Sequence, residues 1–104
     1  MLLSTTDTIE GMKIVQHLGL VRGNTIRARH IGRDIMAGLR NIVGGEITDY
    51  TKMMAESREQ AIDRMIENAQ NLGANAIVGV KFSTSMVIQM AAEILVYGTA
   101  IIVE

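Results

Sequence analysis

The stretch E-I-L-V-Y-G-T-A-I-I-V, Glu93 to Val103, constrains the possible folds of this chain more than any other. In an extended strand it puts Ile94, Val96, Ala100 and Ile102 on one side and Leu95, Tyr97, Ile101 and Val103 on the other, so both faces are apolar. A two-layer monomer leaves one sheet face bare and would expose half of these side chains. The second face needs a partner subunit or a closed barrel. With 104 residues, 48% of them hydrophobic, the chain suits one domain, 1–104, burying roughly two-thirds of its unfolded surface without disulfides or metal.

There is no proline, so the ten glycines carry the backbone punctuation. Lys13 to Arg22 reads as a strand with a bulge or close approach at Gly19. Gly32 to Val43 reads as a short amphipathic helix, with Ile35, Met36, Leu39, Ile42 and Val43 on one side and Gly44 as its left-handed cap. Asp49 to Leu72 is the clearest helix, with Asp49 as N-cap and Gly73 just past its end. Met54, Ala55, Ala61, Ile62, Met65, Ile66, Ala69 and Leu72 form its apolar stripe, and Arg64 and Glu67 are on its wet face. Ala76 to Thr84 alternates as a strand with Ala76, Val78, Val80 and Phe82 on one face. The layout is α+β: strand, short helix, long helix, strand, strand.

Arg58 breaks the pattern, because it projects into the stripe between Met54, Ala61, Ile62 and Met65. One reading makes it a buried, paired arginine, with Asp34, Glu46, Glu10 or Glu93 completing a structural ion pair. The other lays its stem over Met54 and Ile62 and lets the head reach water.

No cysteine occurs, which removes disulfides, thiolate nucleophiles and every thiolate metal site. The net charge of -1, with acids and bases interspersed, offers no field for nucleic acid or an anionic membrane. The first residues lack the basic start and apolar run of an export signal, so a cytoplasmic location is expected. Met86 to Val103 approaches the length of a membrane span, but Gln89, Glu93 and Thr99 and its β-branched content mark it as strand.

Enzyme chemistry finds no nucleophile with a base and an orienting group, so no catalytic role and no cofactor are expected. The glycines of 38–45 lack the Lys and Ser/Thr of a phosphate loop. The polar set Arg29, Arg33, Arg40 and Asn41, with Asp34 and Glu46, reads either as a solvated helix face or as guanidinium forks aimed at an anion or at a neighbouring subunit. The subunit version fits the two-faced strand better.

The segments S-T-T-D-T-I-E-G (4 to 11), I-V-Q-H-L-G-L-V-R-G (14 to 23), R-H-I-G-R-D-I-M-A-G-L-R-N-I-V-G-G-E (29 to 46), S-R-E-Q-A (57 to 61), N-L-G-A-N-A-I-V-G-V (71 to 80) and Y-G-T-A (97 to 100) resemble the YbjQ-like family nearly end to end. The resemblance implies a dodecin-subunit-like β-α-β-β fold, with an antiparallel sheet on one long helix. It further implies a homo-oligomeric ring, a pentamer, and a heavy-metal-binding label. The chain departs from the family at Ser83 to Ala92, which is unusually apolar.

The ligands present give that label little support. Soft metals want thiolate or thioether and borderline ones imidazole, yet only His17 and His30 occur, at no helical metal-site spacing. His17 reads as a half-exposed strand residue and His30 as a loop residue, weak candidates that a symmetry axis could gather. The methionines read as core, since Met36, Met54 and Met65 lie on apolar faces and no Met-x-x-Met run occurs. The expected partner is therefore the chain itself, without nucleic acid or membrane and with any small ligand or metal ion unidentified.

Overall fold

The computed structural model describes residues 1–27, 47–88 and 91–104. The described elements run β1 (Leu2–Leu3), β2 (Ile14–Arg27), α1 (Ile47–Asn71), β3 (Ala76–Ile88) and β4 (Ala91–Val103). They form one four-stranded sheet in the order β1-β3-β4-β2. The fold is α+β. The sheet is mixed, not purely antiparallel: β2, β4 and β3 pair antiparallel, but β1 adds to β3 in parallel through Leu2–Ala76 and Leu3–Ile77. The short helix expected over 32–43 lies outside the described residues.

Alternation along β2 and β4 decides which side the helix covers. Val21 and Thr25 of β2 and Ile94, Val96 and Ala100 of β4 are buried on the α1 side, packed with Ala61, Met65 and Ala69. Gly73 ends α1 with φ +86°, and Gly73 N–H and Ala74 N–H donate to the carbonyls of Gln70 and Ala69 at 3.0 and 3.1 Å. That bond pair is a Schellman cap, which satisfies carbonyls that the helix itself leaves free. Leu72 thus leaves the stripe and is exposed.

On the opposite side the cover is a strap, residues 4–13. Ser4 N–H donates to Ile77 O at 2.9 Å, and Gly79 and Val80 N–H donate to Thr6 O and Ser4 O at 2.9 and 3.0 Å. Ile9 and Ile14 close over Ala76, Val78, Ile101 and Val103, a second, smaller core. Asn75 locks the same end, its side chain exchanging hydrogen bonds of 2.9 and 2.8 Å with the Val103 backbone. The two-faced strand therefore finds both its covers at its C-terminal end within one chain.

Two of the four register shifts in the described strands fall at glycines of positive φ and set side-chain directions. Gly19 (φ +115°) lies at a register shift on β2, as the sequence suggests. Gly79 (φ +63°) lies at a second, between Val78 and Lys81 on β3, and it overturns the simple alternation. Ala76 and Val78 face the strap, whereas Ile77 and Val80 join the helix-side core. Phe82 follows Val80 but lies beyond the reach of α1 and is 48% exposed.

The principal extents are 54 × 22 × 17 Å and the radius of gyration is 16.9 Å. A compact chain of this length would have a radius of about 13 Å. The excess length is strand: fourteen residues of β2 span roughly 46 Å at about 3.3 Å each.

Candidate functional site

Among the described residues nothing covers the sheet face opposite α1 beyond the strap, and register assigns its side chains to rows. Leu20 and Thr99 stand together, next to Val78. Arg22, Tyr97 and Lys81 form the following row, then Asn24, Leu95 and Ser83, then Ile26, Glu93 and Ser85. The β4 members Leu95 and Tyr97 are half-buried by their strand neighbours, while Leu20 and Ile26 are 69% and 54% exposed. Asn24 Nδ2 donates to Glu93 Oε2 at 3.2 Å, which holds the one carboxylate of these rows.

The edge of β2 is treated differently. A free strand edge is a template for unwanted pairing, and α1 caps part of it with side chains. Arg64 Nη1 donates to Asn24 O at 2.6 Å, and Asn68 Nδ2 donates to Arg22 O at 3.4 Å. Thr25, buried, donates from Oγ1 to Ser57 O at 3.2 Å.

This arrangement corrects the reading of Arg58 as a buried, paired residue. Arg58 is exposed, and the buried line on α1 runs through Ser57, Ala61, Met65 and Ala69, each fully buried. Residues four apart advance about 40° around a helix, so the buried direction rotates along α1 as it follows a twisted sheet. A wheel with one fixed direction averages that rotation away and assigns Arg58 to the stripe. Glu93 is no partner for it, because Glu93 belongs to the face opposite α1. Glu10 is exposed beside Ile9 in the strap, on that same far side. Asp34, Glu46, Arg29, Arg33, Arg40, Asn41 and His30 lie outside the described residues. His17 is exposed on β2 opposite Ile101, and no group of three His, Cys, Asp or Glu side chains able to hold a metal ion occurs among the described residues. No helix among the described residues is long and apolar enough to cross a membrane.

The arginine that ties helix to sheet is Arg64, which the sequence places on the wet face. Its guanidinium makes a charge-assisted bond to a strand-edge carbonyl, worth about 1 kcal/mol at an exposed site. Arg64→Ala should therefore cost about 1 kcal/mol in urea unfolding and Arg58→Ala less than about 0.5 kcal/mol. The reverse order would move the buried face of α1.

A family model described as "Putative heavy-metal-binding" matches residues 1–104. A UPF0145 protein of Dehalococcoides mccartyi is 60% identical over 104 residues, covering 100% of both chains. One of Methanosarcina acetivorans is 58% identical over 101 residues, 97% of this chain and 95% of its own. A crystal structure of a protein with unknown function from Pediococcus pentosaceus superposes with a TM-score of 0.67 at 18% identity, covering 100% of this chain and 98% of that one, a likeness of fold alone.

Proposed function

The chain belongs to the YbjQ-like family, and from that premise we propose that it works as a cytoplasmic homo-oligomer, a pentameric ring of dodecin-like subunits. Its role in this reading is structural or ligand-holding, without catalysis of its own. The observation that carries the reading is the open sheet face. Leu20, Ile26, Leu95 and Tyr97 share it, and among the described residues Leu20 and Ile26 remain exposed while Leu95 and Tyr97 are only half-buried. The long, thin shape, 54 × 22 × 17 Å, supports it further. Light scattering at micromolar concentration should give about five times the chain mass of 11.3 kDa. A monodisperse monomer overturns the reading.

The family description favours a second reading, metal held between subunits. In it a symmetry axis gathers copies of His17 or His30, because borderline metals accept imidazole and no thiolate exists. Calorimetric titration with Zn²⁺, Cu²⁺ and Ni²⁺ should then show binding by the oligomer that His17→Ala or His30→Ala removes without changing its mass. Binding that survives both substitutions, or none at all, overturns it.

A further inference from the structure

We propose that the row Arg22, Tyr97 and Lys81 binds a small tetrahedral oxyanion of the phosphate type. The residues come from three adjacent strands and are direct cross-strand partners, Arg22 with Tyr97 and Tyr97 with Lys81. Neighbouring strands lie about 4.8 Å apart, so the two cations start roughly 10 Å from each other with the tyrosine between them. Both are exposed and Tyr97 is half-buried, so the long side chains can close over the ring while it stays fixed.

Charge makes the row unusual. Neither it nor the rows on either side contain a carboxylate, and among the described residues no acid pairs with Arg22 or Lys81 and nothing bonds the Tyr97 hydroxyl. Glu93 is two rows away and engaged by Asn24. A strap acid, Asp7, brings its Oδ1 to 3.8 Å from where a Cβ on Gly79 would stand, two residues before Lys81. Two like charges flanking one ring repel each other, and an anion between them offsets that repulsion. The guanidinium fork, the ammonium group and the phenol together present donors to the oxygens of one tetrahedral group, with Thr99 and Ser83 hydroxyls in the adjoining rows.

The three residues belong to one chain but lie on the face that the ring reading covers, so in a ring the anion would sit where subunits meet. Light scattering tests the ring and titration the anion, and either can fail alone. Changing Arg22 leaves the α1 bond in place, because Asn68 bonds its carbonyl and not its side chain, and the Lys81 side chain makes no hydrogen bond or ion pair among the described residues.

Calorimetric titration of the wild-type protein at low ionic strength with inorganic phosphate and with molybdate tests the assignment. Saturable binding is expected, weakening as chloride is added. Arg22→Gln and Lys81→Gln should each reduce affinity at least about tenfold, Arg22→Lys less, and Tyr97→Phe a few-fold. Asp7→Asn should strengthen binding. Preference for phosphate points to a phosphate ester or free phosphate, and preference for molybdate to a metal carried as its oxyanion. Absence of saturable binding to both anions overturns the proposal. So does wild-type affinity in the two Gln variants at unchanged melting temperature and mass.

Discussion

Gly23→Ala lowers stability by about 3 kcal/mol or more, a large effect for one methyl group. Gly23 lies on β2 where α1 crosses it, between the buried Val21 and Thr25. A Cβ there would overlap the Ala61 carbonyl oxygen and come within 2.5 Å of Met65 N and 3.0 Å of Arg64 Cβ. Two of these atoms are helix backbone, which has no rotamer with which to move aside. The helix must lift from the strand, and lifting it loosens the contacts of Ala61 and Met65 and lengthens the Arg64 and Thr25 bonds. Gly19→Ala provides the contrast, since its φ of +115° strains any side chain but nothing lies within 4 Å of the new carbon. Strain of that kind costs roughly 1 to 3 kcal/mol. Urea unfolding followed by circular dichroism compares them, and a Gly23→Ala protein within 1 kcal/mol of wild type would show that α1 is not seated there.

The same crossing shows what the sequence could and could not convey. The long helix, its glycine cap and the three long strands follow from periodicity and glycine placement, because those signals are local. The strap carries no such signal: S-T-T-D-T-I-E-G has no apolar period, and its hold on β3 comes from backbone bonds and from Ile9 alone. β1 is two residues long, below the reach of any alternation. Gly79 was visible as a glycine, but its bulge puts Val78 and Val80 on opposite faces, and only pairing with β4 reveals that. The Arg22, Tyr97 and Lys81 row was hidden for a similar reason, since its members are 59 or more positions from Arg22 and meet only through register. Arg58 and Arg64 exchange roles because a helix on a twisted sheet has no single buried direction.

Met65→Ala should cost about 3 kcal/mol, within the range for removing a large buried side chain. Met65 is fully buried at the centre of the main core, in one cluster with Val21, Ile94, Val96 and Ala100 from two strands and with Ala61 and Ala69 from its own helix. Small neighbours on α1 let the helix approach β2 closely, which leaves Met65 to fill most of the space between helix and sheet. Its loss opens a cavity that alanines cannot reach across, and backbone seated on Gly23 resists collapse into it. Met65→Leu keeps most of the volume and should cost less than about 1.5 kcal/mol. The pair separates packing from chemistry: metal binding through the thioether would be lost equally in both variants, whereas the stability that a packing residue supplies is largely restored by leucine. Equal losses of stability in Ala and Leu would mean that shape at this position matters more than volume. A loss below 1 kcal/mol in the alanine variant would mean that the helix settles into the space, and that the close approach at Gly23 is softer than its backbone contacts imply.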